Sequence, residues 1–149
     1  MVNEKLKIAG EVHMVLRGPD GAIKEDVTRK NLVVTAGTQF IASRLEGVSS
    51  AVMSHMAVGS GITAAQAADI DVESILGVRE ALDTTTVVSN TVQYVCGFEA
   101  GEGTGAVTEA GLFNASSGGT MLCRTTFPVV NKQADDVLTI TWTITISAA

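Results

Sequence analysis

Gly101-Glu102-Gly103-Thr104-Gly105 comes nearest to a phosphate-binding loop. A dinucleotide fingerprint needs G-x-G-x-x-G opening a helix after a strand. Here the third Gly falls one place early, a strand-like stretch follows, and Glu102 would repel phosphate. Gly59-Ser60-Gly61 is not followed by Gly-Lys-Ser/Thr, so it does not make a P-loop. Both stretches read as tight turns that need unusual φ angles. Acyl transfer needs a base held beside its nucleophile. Only His13 and His55 could serve, no Gly-x-Ser-x-Gly elbow occurs, and His55 sits among apolar neighbours as a structural histidine would. Glu102 and Glu109 are the one carboxylate pair to consider for glycoside chemistry. Glu102 falls in a turn and Glu109 in a strand-like stretch, so solvated or hydrogen-bonded acids are expected. Cys96 and Cys123 each lie in an apolar stretch. They read as buried free thiols, with a pair between neighbouring strands as the alternative. The cysteines and histidines are not spaced as metal ligands. The expectation is a chain without catalytic residues, cofactor or metal, and not an enzyme.

What must position these residues is one domain, residues 1–149, since domains cluster near ~100–150 residues. Hydrophobic residues make up 46% and charged residues 17%, which suits a folded core. The net charge of −6 argues against a nucleic-acid partner, which needs clustered Lys and Arg. No apolar run approaches the ~18–20 residues of a membrane span. The N-terminal Met1-Val2-Asn3-Glu4-Lys5 lacks the apolar centre of a signal peptide, so folding in the cytoplasm is expected. Charge is uneven. Residues 1–30 carry six basic groups (Lys5, Lys7, Arg17, Lys24, Arg29, Lys30) against five acids, and the rest four against eleven. The first segment could therefore meet an acidic partner.

Period-two patterning dominates. Leu6–Leu16 alternates, Gly18-Pro19-Asp20-Gly21 is a turn, and Ala22–Val27 returns as the second strand of a hairpin. Thr28–Asn31 reads as a polar connection. Thr35 is placed to cap a helix whose Phe40, Ile41 and Leu45 share a face, with Gly47 as its stop. Met53–Val58 reads as a strand, and residues 64–82 show no clear period. Thr84–Ser89, Thr91–Glu99, Ala106–Asn114 and Thr120–Val130 read as strands, the last two a hairpin around Ser116–Gly119. In the final strand Leu138, Ile140, Trp142, Ile144 and Ile146 face one way, placing Trp142 in the core. Thr139, Thr141, Thr143 and Thr145 face the other, toward solvent or another chain. Pro19 and Pro128 are read near strand ends. The predicted class is mainly β: an antiparallel, jelly-roll-like β-sandwich with one short α-helix near residues 35–46.

One ordered set of segments carries a resemblance. Met56-Ala57-Val58-Gly59-Ser60-Gly61-Ile62-Thr63 precedes Thr108-Glu109-Ala110-Gly111-Leu112-Phe113-Asn114. Gly118–Phe127, Val129-Val130-Asn131-Lys132 and the alternating Leu138–Ile144 follow. Over roughly residues 53–146 this order resembles tailed-bacteriophage virion proteins. They share a small-Val-Gly-x-Gly loop, a Glu-x-Gly-Leu/Ile-Phe strand and an alternating last strand. They comprise capsid cement (decoration) proteins and the attachment domains of tail-collar fibres and baseplate components. Glu73-Ser74-Ile75-Leu76-Gly77-Val78-Arg79-Glu80 matches the fibre members only loosely.

The resemblance implies a cement protein on the outer capsid surface of the virion, made in the host cytoplasm. It would bind the major capsid protein and bridge capsomers as a homotrimer. A tail or baseplate adaptor is the alternative, and a carbohydrate-binding sandwich the more distant one. The expected shell contact is residues 1–34, an extended or hairpin docking segment bearing the six basic residues. The loops around Gly59, Ser60 and Gly61 and around Gly101, Glu102 and Gly103 are expected to touch sister subunits or the lattice. Neither nucleic acid nor membrane is an expected partner.

Overall fold

In the computed structural model, which describes residues 5–48 and 50–148, the first hairpin forms where its turn chemistry places it. The N-terminal residues 1–4, read above for a signal peptide and as the start of the docking segment, lie outside the described residues. β1 (Leu6–Arg17) and β2 (Ile23–Val33) pair antiparallel. Gly21 donates to the Gly18 carbonyl at 2.9 Å, and Gly18 donates to that of Ala22 at 3.0 Å. β2 does not stop at Val27 as expected. Thr28–Asn31 continue the ladder, with Lys30 opposite Glu11 and Thr28 opposite His13. β2 is largely exposed, so apolar alternation could not reveal it. The segment 1–34, as far as it is described, is thus a hairpin built into the sheet.

The rest of the chain adds α1 (Thr35–Leu45), β3 (His55–Gly59), β4 (Glu80–Ala81), β5 (Thr84–Val88), β6 (Thr91–Phe98), β7 (Gly105–Phe113), β8 (Met121–Lys132) and β9 (Val137–Ala148). All pairings are antiparallel, and the sheet order is β4-β3-β7-β8-β2-β1-β9-β6-β5. The strands therefore form one curled sheet. β2 joins its halves, pairing with β1 along most of its length and with β8 through Leu32 and Val33. Residues 80–88 touch both ends: Ala81 pairs with His55, the Leu82 amide donates to Ser54, the Asp83 amide donates to Val95, and β5 pairs with β6. No helix among the described residues is long and apolar enough to cross a membrane.

The inward face holds one core. Val12, Met14 and Leu16 of β1 meet Leu138, Ile140 and Trp142 of β9, with Phe98, Met56 and Leu112 from flanking strands. Trp142 is 0% exposed, as the alternation predicts. Cys96 and Cys123 are buried and free. Burial, then the acids Asp83, Glu80 and Glu102, push the Cys96 thiol up to about 12, and burial also raises Cys123. α1 differs from its sequence reading in two respects. Val34 holds the N-cap position without a side-chain bond, because Thr35 is already helical and its amide donates to the Ala67 carbonyl. Phe40 and Ile41 pack on the core, but Leu45 in the last turn is 88% exposed. Gly47, at φ +81°, stops the helix as expected.

Pro128 also departs from expectation. It lies inside β8, where the register with β7 jumps from Val107–Val130 to Glu109–Thr126. Residues 127–129 bulge opposite Thr108, and a bulge tolerates a residue with no N–H to give.

Candidate functional site: a loop held on a buried carboxylate

Two outward faces of the sheet are treated differently. Over β3, β7 and β8 lies the long connection of residues 60–79. Its attachment point is Glu109, on the outward side of β7 and 0% exposed. Five donors converge on that carboxylate. The amides of Gly61 (2.6 Å) and Ser74 (2.9 Å) reach Oε2, and that of Glu73 (2.7 Å) reaches Oε1. Arg124 of β8 adds Nε at 3.2 Å and Nη2 at 3.0 Å, both to Oε1. Arg124, 2% exposed, also donates to Asp69 at 2.9 Å and to the Thr63 carbonyl at 3.0 Å. Burial opposes its charge, but hydrogen bonds to Asp69 and Glu109 outweigh that and leave its pKa raised. Exposed Glu73 is held below the usual carboxylate range by the Thr63 hydroxyl and the Ile62 amide.

This geometry explains two glycines. A Cβ on Gly61 would collide with Glu109 Oε2, and one on Gly59 would come within 2.6 Å of the same oxygen. Neither has a positive φ, so the expectation of unusual backbone angles fails here. Close approach of backbone to carboxylate is the cause. Further along, Arg79 stacks on the Phe113 ring at 3.6 Å and donates to the carbonyls of Ala115 and Gly118. Val72, Phe113, Met121, Val34 and Ala57 close a small second core beneath the loop.

Chemically, Glu109 is a carboxylate whose ~four acceptor sites are filled by fixed donors. It is the hydrogen-bonded acid expected, and what it does is hold a loop. The loop in turn presents Ile62, Ile70, Ile75 and Val78, all exposed, on its outer side.

The other site residues read from the sequence are scattered. Gly59 and Gly61 are buried and Ser60 is half-buried, so this stretch serves the Glu109 contact first. In the second turn the φ reading holds: Gly101 and Gly103 have φ of +82° and +58°. Gly101 is exposed and donates to the Ala134 carbonyl at 2.7 Å, whereas Gly103 is buried against Val58 and Phe98. Glu102 accepts the Glu99 amide at 2.9 Å. Buried Lys132 donates to the Glu99 carbonyl, and desolvation lowers its pKa against the pull of Asp136, Glu102 and Glu99.

Among the basic residues, Lys7 and Lys30 share a shallow groove of ≈ 440 Å³ with Glu11 between them. Lys5 is exposed just before β1. Arg17 donates to the Gly21 carbonyl and Arg29 to that of Thr28. Lys24 pairs with buried Asp136 at 2.9 Å. His13 meets Asp26 at 2.7 Å, and His55 Nδ1 lies 2.8 Å from the Ser54 hydroxyl.

Over β5, β6 and β9 no long connection lies on the second outward face among the described residues, although Glu99 and Asp83 approach it at Gly97. Thr139, Thr141, Thr143 and Thr145 stand beside the outward residues of β6, such as Gln93 and Thr91, in one register. A sugar platform would need an exposed ring. Among the described residues Phe98, Phe113, Phe127 and Trp142 are buried, and Phe40 and Tyr94 are half-buried. Arg124 is the functional side chain that sequence reasoning passed over. Its signal was there: one cation in the apolar run Met121–Phe127, opposite one acid in the apolar run of β7. Comparison with protein-family models, with curated proteins and with solved structures finds no match for this chain.

Proposed function

We propose that the chain is a bacteriophage capsid cement protein, acting by binding and not by chemistry. It sits on the outer capsid surface, binds the major capsid protein and bridges neighbouring capsomers as a homotrimer. With this goes the finer fold reading. The halves β4-β3-β7-β8 and β1-β9-β6-β5 serve as the two sheets of a jelly-roll-like sandwich, joined at β2.

The observation that supports it is the meeting of the resembling segments on Glu109. The Val58-Gly59-Ser60-Gly61 loop, the Glu109-Ala110-Gly111-Leu112-Phe113 strand and the Arg124 strand lie far apart in sequence and share one buried ion pair. The resemblance is thus carried by one physical unit. That unit fixes a loop of exposed aliphatic side chains in advance of binding, which lowers the ordering cost of docking. Many copies on a lattice then turn modest contacts into a firm grip.

The test is the ratio of this chain to the major capsid protein in purified particles, by quantitative mass spectrometry. A ratio near one to one is expected. A ratio of a few per cent would move the chain to the tail or baseplate, as an adaptor that docks a fibre. Its absence from particles would overturn the virion reading.

A further inference from the structure

β1 outruns its partner on one side. β9 pairs with it from Leu6 to Arg17, whereas β2 pairs with it only from Gly10 onward. At Asn31 β2 turns away, and Leu32 and Val33 take β8 instead. A fork opens there. Among the described residues no strand pairs with Leu6–Ala9 on the side away from β9. In an antiparallel ladder alternate residues turn N–H and C=O to opposite sides, so part of this stretch points its backbone into the fork. Asn31 stands at the vertex. A Cβ on Gly10 would collide with its carboxamide. Both polar atoms of that group are shielded from water and have no hydrogen-bond partner among the described residues. Such a group is unfavourable until a partner is supplied. The groove of ≈ 440 Å³ runs along the fork and is lined in part by Lys7, Ala9, Glu11, Lys30 and Asn31. Neither Lys7 nor Lys30 forms an ion pair among the described residues, and both are exposed, as is Lys5 just before β1.

We infer that the fork takes an extended segment of another protein, added as a strand along Leu6–Ala9, with an acidic side chain set between Lys7 and Lys30. The free edge supplies main-chain hydrogen bonds, the form of recognition that suits an extended peptide. The Asn31 carboxamide is donor and acceptor in one group, and turned into the fork it matches a peptide unit. The lysines choose the sign of the partner. They gather on one strand pair of a chain whose net charge is −6. Glu11 in the same groove counts against a polyanion such as nucleic acid, which carries a charge on every unit. The fork is a property of the fold and stands apart from the cement reading.

The test is NMR of the isotope-labelled whole chain, titrated to millimolar concentration with two capped peptides. One is Val-Thr-Val-Asp-Val-Thr, which as a strand puts Asp and Thr on one side and Val on the other. The second has Lys in place of Asp. With the Asp peptide the backbone amides of Leu6–Ala9 and the side-chain amide of Asn31 should shift. The Lys peptide should bind about three- to tenfold more weakly, the scale of two exposed ion pairs. In the double variant Lys7→Glu, Lys30→Glu, whose changes lie on the exposed surface, the preference should reverse. No shift at Leu6–Ala9 with either peptide, or a preference that survives the charge reversal, would overturn the inference. So would a single-stranded DNA oligomer that moves the same amides at lower concentration than the Asp peptide. A fork that takes the Asp peptide in a chain absent from particles would remove the cement reading alone.

Discussion

The two outward faces of one curled sheet are finished in opposite ways. Over β3-β7-β8 the chain covers itself with residues 60–79, anchored by a buried Glu109–Arg124 pair. Over β5-β6-β9 it leaves threonines bare. The inward faces of both share one apolar core, so burial alone does not separate the halves. The difference is where ions are spent. Burying a charge is costly unless it is paired and hydrogen-bonded. The covered half accepts that cost at the Glu109–Arg124 pair, where the return is an anchored irregular loop, and again at buried Lys132. The strands β5, β6 and β9 themselves contain no charged residue.

The sharpest way to break this contrast is Glu109→Ala. It would leave Arg124 buried with only Asp69 for charge, and orphan the amides of Gly61, Glu73 and Ser74. Removing one partner of a buried pair costs about 3–5 kcal/mol, a large share of the ~5–15 kcal/mol typical of a domain. Urea unfolding followed by Trp142 fluorescence would show the midpoint fall. A loss under about 1 kcal/mol would mean that the loop holds without its anchor.

Next come the glycines, where the cause of each differs. Gly61→Ala forces a Cβ onto Glu109 Oε2 and should cost about 1–3 kcal/mol, the range for overpacking. Gly101 has positive φ but open space, so Gly101→Asn should be tolerated, since Asn enters the left-handed region readily. Gly61→Asn should not be. Thermal unfolding of the three variants separates close approach from backbone angle. Equal losses at both sites would refute the distinction.

Much of the fold was legible because its information is local. β9 alternates strictly, the Gly18–Gly21 turn carries its own chemistry, and the β7–β8 hairpin surrounds a Ser/Gly turn. The covering loop was not legible because its conformation is set from far away. Gly61 and Glu109 are separated by 48 residues, and no period within residues 64–82 reports that contact. For the same reason Gly59 and Gly61 looked like turn glycines. Thr28–Asn31 hid a strand because an exposed ladder needs no apolar pattern. The strands of both halves could thus be read from periodicity and turn chemistry, and the loop over the covered half could be found only through its long-range contacts.

A smaller effect concerns acid. Asp136 is held below the usual carboxylate range by the Lys24 ammonium, then by the Gln133 amide. Exposed Glu73, on the covering loop, is lowered as well. A folded pKa below the unfolded value stabilises the fold above the unfolded value, about 4 for these acids. That stability is lost as pH falls through the folded pKa. The urea midpoint should therefore drop on going from neutral pH to below about pH 4. Lys24→Met should lessen the drop by releasing Asp136, and a parallel pH profile in that variant would remove Asp136 from the account.

The smallest expected effect is on the bare face. Thr141→Ala removes a half-buried side chain that stands between His13 and Val95 on the outward surface. Surface substitutions away from special features lie within about ±0.5 kcal/mol. In dilute solution, where association adds nothing to the unfolding free energy, its midpoint should match the wild type. The same substitution size on the covered face, at Glu109, is expected to cost several times more. A loss at Thr141 above about 1 kcal/mol would show that the outward threonines hold the sheet together. The bare half would then be a structural layer in its own right.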